Sequence, residues 1–88
     1  MGEVGIIYQV MPEDVEVDLE DLKSRITGTV KDPIKLNQIE EKPIAFGLKA
    51  LHVQVIIDDK KGGADEFEAA LSGLAGVQSV EVVHMGLL

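Results

Sequence analysis

The stretch Leu48-Lys49-Ala50-Leu51-His52-Val53-Gln54-Val55-Ile56-Ile57 decides the fold class. Leu51, Val53, Val55 and Ile57 fall on one side of an extended chain, and Ala50, His52 and Gln54 on the other. A period of two with β-branched residues on the richer side is the pattern of a half-buried strand. The charged, glycine-rich run Asp58-Asp59-Lys60-Lys61-Gly62-Gly63 then turns the chain.

Upstream, Val4, Ile6, Tyr8 and Val10 alternate in the same way over residues 4–11. Pro12 lacks a backbone donor and ends the pairing. Residues 13–17 form an acidic connection, and Asp18 is the expected N-cap of a helix. Glu20 and Asp21 sit in its first turn, where the helix dipole favours negative charge. Leu19, Leu22, Ile26 and Val30 build one apolar stripe, and Asp32-Pro33 stops the helix. Residues 34–42 read as a strand whose phase slips between Leu36 and Ile39, as a bulge or an edge position would produce.

Downstream of the turn, Asp65 and Glu66 open a second helix with Phe67, Ala70, Leu71 and Leu74 on its apolar stripe. Gly76 is placed to end it. Residues 77–85 read as the last strand, with Val80 and Val82 inward and Ser79 and Glu81 outward. The order β-α-β-β-α-β, with right-handed crossovers, puts two helices on one face of a four-stranded antiparallel sheet. That is the α+β, ferredoxin-like sandwich. Its strand order, 4-1-3-2, makes the two best-patterned strands central and the irregular strand over 34–42 an edge.

The 88 residues suffice for one domain, 1–88. There is no cysteine, so neither a disulfide nor a thiolate metal site is available, and a reducing, cytoplasmic location is expected. Met1-Gly2-Glu3-Val4 carries no basic n-region, and no run approaches the roughly 20 apolar residues of a membrane span. Sixteen acidic against eight basic residues give a formal net charge of −8. That charge disfavours nucleic acid and anionic membranes, whose recognition needs clustered Lys and Arg. It suits both plain solubility and a basic protein partner.

Reactive chemistry finds little support in the chain. His52 and His84 are the only histidines, expected on opposite sheet faces, and no ligand spacing surrounds them, so neither metal nor cofactor is expected. The carboxylates Glu13, Asp14, Glu16, Asp18, Glu20 and Asp21 lie in a polar loop and a helix start, not in an apolar pocket that would raise a pKa. Ser24, Ser72 and Ser79 lack a nucleophile turn. Gly62-Gly63 is a helix-starting turn among acids and lacks the spacing of a phosphate loop. Three aromatics, Tyr8, Phe46 and Phe67, form no stacking platform for RNA bases.

Pro43-Ile44-Ala45-Phe46-Gly47 stands apart, because it places apolar side chains in a connection. Two readings fit: Ile44 and Phe46 fold onto the core edge as a staple, or Phe46 is an exposed aromatic of the kind that anchors protein interfaces.

Residues 43–59, Pro43-Ile44-Ala45-Phe46-Gly47-Leu48-Lys49 followed by the long strand and Asp58-Asp59, resemble the signature of the elongation factor 1-beta family. Val77-Gln78-Ser79 resembles the family's approach to its final strand, and the likeness spans essentially the whole chain, in the manner of stand-alone archaeal members. The resemblance implies a guanine-nucleotide exchange factor acting on elongation factor 1-alpha, the GTPase that delivers aminoacyl-tRNA, by protein binding and not as an enzyme. It further implies that Phe46, with Ile44, Ala45 and Gly47, inserts near the nucleotide site of that GTPase. The chain end, Met85, Leu87 and Leu88, is implied to dock there too, an apolar tip beside the terminal strand. Many eukaryotic relatives carry a lysine next to last that reaches the magnesium position; Leu87 holds that place here. The expected action is therefore to reshape the phosphate loop and switch regions. A small-ligand regulatory module on the same fold, motivated by Gly62-Gly63 at a helix start, is the alternative reading.

Overall fold

The structure, a computed structural model, describes residues 2–31, 34–44, 47–58 and 63–87. Six elements follow in order: β1 (Glu3–Pro12), α1 (Leu19–Thr29), β2 (Lys35–Pro43), β3 (Lys49–Asp58), α2 (Ala64–Ser72) and β4 (Val77–Leu87). The strands form one antiparallel sheet in the order β2-β3-β1-β4, the expected ferredoxin-like arrangement.

Alternation in the two central strands becomes a set of facing apolar pairs. Val10 lies opposite Leu51, Tyr8 opposite Val53, Ile6 opposite Val55 and Val4 opposite Ile57. Leu22 and Ile26 of α1 and Phe67 and Leu71 of α2 close over these rows, and all four are buried. Asp18 caps α1 as expected, its carboxylate accepting from the N–H groups of Glu20 at 3.0 Å and Asp21 at 3.3 Å. β2 is an edge and carries the anticipated bulge. Asn37 is the extra residue, so Leu36 and Ile39 both face the helices, opposite Val55 and Val53.

Three expectations need correction. α2 ends at Ser72, not at Gly76; the N–H of Gly73 donates to the carbonyl of Ala69 at 3.1 Å. Gly76, at φ +90°, instead turns the chain into β4 and lies against Val17. Ala70 is exposed on the flank of α2, leaving the stripe to Phe67, Leu71 and Leu74. Val82 points to the helix side opposite Tyr8, yet it is 40% exposed. Nine helical residues rise only about 13 Å, whereas the eleven residues of β4 extend about 35 Å. α2 therefore leaves the far half of that strand uncovered.

The histidines also depart from expectation. β4 bulges between its pairs Tyr8–Val82 and Ile7–His84, making Val83 the extra residue. Beyond the bulge each side chain changes side, which brings His84 onto the open face of the sheet. His52 shares that face, its Nε2 3.0 Å from Oε1 of Gln9. Among the described residues, no helix is long and apolar enough to cross a membrane.

Tyr8 packs edge to face on Phe67, with ring centroids 5.5 Å apart, and its hydroxyl donates to the carbonyl of Ala64 at 3.3 Å. Burial, then the nearby Glu68 and Asp65 carboxylates, push its phenol up to about 12. A raised phenol pKa favours the neutral form in the fold. The stability tied to it is complete below the ordinary value of 10.0 and is lost as pH rises toward about 12. Tyr8 is the only tyrosine and there is no tryptophan, so ultraviolet titration of the phenolate reads this group alone. Its midpoint should lie near pH 12 or coincide with alkaline unfolding; ionisation near the ordinary value in the folded protein would contradict the burial argument.

Candidate protein-docking site

The β2–β3 connection is closed at its base by the N–H of Ile44, which donates to the carbonyl of Leu48 at 2.8 Å. Ile44 and Leu48 are half-buried there, and Gly47 is exposed at φ +77°. Among the described residues, its chain neighbours aside, no atom lies within 4 Å of the place a Cβ on Gly47 would take, and its left-handed backbone favours glycine. Ala45 and Phe46 lie outside the described residues, as does Leu88. The remaining expected contacts, Met85 and Leu87, are 58% and 77% exposed near the end of β4.

Of the described groups, Ile44 and Gly47 do not meet Met85 and Leu87 as one tip. Val10 pairs with Leu51 and Pro12 with Val77, so the β2–β3 connection lies beside the end of β1 and the start of β4. Val4 sits between Ile57 and Leu87 at the other end of the sheet. Eight or more strand residues separate the two ends, about 30 Å at the rise of a β-strand. The antiparallel course of β4 forces that separation.

The hairpin is tied to α1 by charge. Lys23 of α1 reaches Glu41 of β2 at 2.6 Å and Glu20 at 3.4 Å, and Lys49 approaches Glu41 at 3.8 Å. The hydrogen bond from Lys23, reinforced by its charge, holds the Glu41 carboxyl below the usual range; that same bond holds the Lys23 ammonium above its own. Next to the connection, Pro12, Asp14, Val15, Val17, Leu19, Gly47 and Lys49 line a hollow of about 190 Å³. Val15, 63% exposed, stands on its rim, and sequence periodicity gave no sign of it because it sits alone in a polar loop. Val82 and Val83, 40% and 44% exposed, were also missed as surface groups. Alternation along the strand places Val82 inward and leaves Val83 unassigned.

Among the described residues no group of His, Asp and Glu is arranged to hold a metal. Tyr8 and Phe67 are both inside the sandwich, which leaves the open face without either ring.

A family model described as the EF-1 guanine nucleotide exchange domain matches residues 5–88. The chain belongs to the elongation factor 1-beta family. Elongation factor 1-beta of Methanothermobacter thermautotrophicus is 46% identical over 97% of this chain and 96% of its own. That of Methanosphaera stadtmanae is 49% identical over the same shares. The elongation factor 1-beta of Methanoculleus marisnigri is 46% identical over the whole of both chains. Among solved structures, the ACT domain from the GTP pyrophosphokinase of Chlorobium tepidum superposes with a TM-score of 0.66, covering 92% of this chain and 99% of that one. At 15% identity that likeness is one of fold. The sandwich is thus shared beyond the elongation factor 1-beta family, and particular residues, not the fold, must carry function.

Replacing Gly47 with alanine forces a Cβ into the left-handed region and should cost about 1–2 kcal/mol of stability. Urea denaturation of Gly47→Ala checks this; an unchanged midpoint would show that the connection tolerates another conformation.

Proposed function

We propose that this protein promotes exchange of GDP for GTP on elongation factor 1-alpha, acting in the cytoplasm by protein–protein contact alone. Membership of the family across nearly the full chain supports the reaction class. The observation that carries the contact assignment is the pair Met85 and Leu87, two large apolar side chains held in solvent on an ordered strand. Exposed apolar groups on a rigid element incur no backbone ordering cost when they are buried on a partner.

The partner is gripped at two places. Phe46, with Ile44, Ala45 and Gly47, forms one contact, and Met85, Leu87 and Leu88 form the other at the opposite end of the sheet. A stiff sheet about 30 Å long holding both contacts fixes the distance between two parts of the GTPase. If that distance suits the nucleotide-free form better than the GDP-bound form, docking lowers nucleotide affinity. The coupling is reciprocal, so bound nucleotide weakens this factor by the same ratio. On this reading the phosphate loop and switch regions are displaced by apolar contact.

The magnitudes are sufficient. A thousandfold faster release needs about 4 kcal/mol of barrier lowering, and one buried aromatic anchor supplies about 2–4 kcal/mol. Labelled-GDP release from elongation factor 1-alpha tests the assignment with Phe46→Ala and Leu87→Asp, separately and combined. Each single change should slow stimulated release by about thirtyfold, the equivalent of roughly 2 kcal/mol. The double variant should fall close to the spontaneous rate. Wild-type stimulation by both single variants, with unchanged circular dichroism, would remove the two-contact reading.

A further inference from the structure

β4 is an outer strand, paired with β1 on one side only. Such a strand leaves a row of backbone N–H and C=O groups pointing sideways, ready to bond another chain. The two outer strands treat that exposure differently. β2 carries Lys35, Glu40, Glu41, Lys42 and Pro43, charges and a proline that discourage pairing, whereas a bulge is common to both outer strands. β4 has one acid, Glu81, and neither lysine nor proline. It also holds four of the five large exposed apolar side chains among the described residues: Val82, Val83, Met85 and Leu87.

We infer that a second copy of this chain seats on the β4 edge, strand against antiparallel strand, about a two-fold axis between Val82 and Val83. The pairing with β1 sets the face of each residue. Ser79, Glu81, His84 and Gly86 lie opposite Met11, Gln9, Ile7 and Gly5 on the open face. Val80, Val82, Met85 and Leu87 lie opposite Val10, Tyr8, Ile6 and Val4 on the helix face. Directly opposed residues in an antiparallel pair share a face. Because the bulge reverses the alternation at Val83, only an axis adjacent to that residue keeps faces matched on both sides of it.

The axis between Val82 and Val83 also matches the chemistry. It sets Val80 against Met85 of the second copy and Val82 against Val83. On the open face it sets Glu81 against His84 of the second copy, an acid against an imidazole. That pair extends a polar row already present across the sheet. Nε2 of His52 lies 3.0 Å from Oε1 of Gln9, whose Nε2 donates to Oε1 of Glu81 at 3.4 Å. The Glu81 carboxylate thus ends the row at the free edge. A net charge of −8 on each copy opposes the encounter, and salt screens that repulsion, so association should tighten as ionic strength rises. Met85 also belongs to the contact assigned to the GTPase; on that reading the two associations compete, but the measurement below involves no GTPase.

Sedimentation across a concentration series should show the mass rising toward twice that of one chain, more readily at high salt. Val83→Lys, an exposed change that places a charge at the axis, should weaken association about tenfold or more. The chain has no cysteine, so Glu81→Cys and His84→Cys can be oxidised separately and as an equimolar mixture. A disulfide between copies that forms in the mixture and in neither variant alone supports the pairing. A single-chain mass at every concentration, or equal cross-linking in all three samples, overturns it.

Discussion

The register of β1 on β3 is the constraint on which the rest of the structure depends. With Val10, Tyr8, Ile6 and Val4 set against Leu51, Val53, Val55 and Ile57, one face of the central pair is continuously apolar. A slip of one residue would turn each of those side chains to the solvent face. Both helices rest on this face, and each outer strand takes its alignment from one of the central two. A domain this small has no second core to compensate. Tyr8 shows how closely the register is held, since its ring must meet Phe67 while its hydroxyl reaches the Ala64 carbonyl.

Departures from regular pairing lie in the outer strands, and each has a consequence for the surface. At Asn37 the bulge restores the phase of β2, so that Leu36 and Ile39 both serve the core. At Val83 the bulge returns Met85 and Leu87 to the helix face, but beyond the reach of α2. The bulge at Asn37 thus completes the interior, while the one at Val83 presents apolar side chains outside it. The ion pairs of Lys23 and Lys49 with Glu41 fasten the hairpin against α1 on the side where the β2–β3 connection emerges.

Much of this was legible in the sequence because local rules and tertiary packing agree. Asp18 reads as a cap because its carboxylate has no better role, and the slip between Leu36 and Ile39 is visible because polar residues intervene. The bulge at Val83 was not legible, since Val82-Val83 contains no breaker and both residues favour strands. It is fixed by where β1 places Tyr8 and Ile7, a property of two strands together. The end of α2 was misread because two glycines, Gly73 and Gly76, both suit a helix terminus. Separation of the β2–β3 connection from the chain end did follow from the inferred topology. Four antiparallel strands in that order place the end of the last beside the start of the first, and only the family resemblance suggested otherwise.

That separation bears on how the exchange proposed for this protein could proceed by contact alone. A single wedge transmits force only if something holds it from behind. The two contacts proposed above, on one stiff sheet, would supply that support, each the anchor against which the other pushes. Backbone hydrogen bonds along β1 and its neighbours resist stretching, so contact energy gained at the ends is not absorbed by the sheet between them. What matters is then the difference in fit to two states of the GTPase, because equal contact with both shifts nothing. A flexible tether between the same two contacts would bind both states equally well and release no nucleotide. In the proposed exchange mechanism, the stiffness set by the β1–β3 register therefore counts as much as the apolar contacts assigned to its two ends.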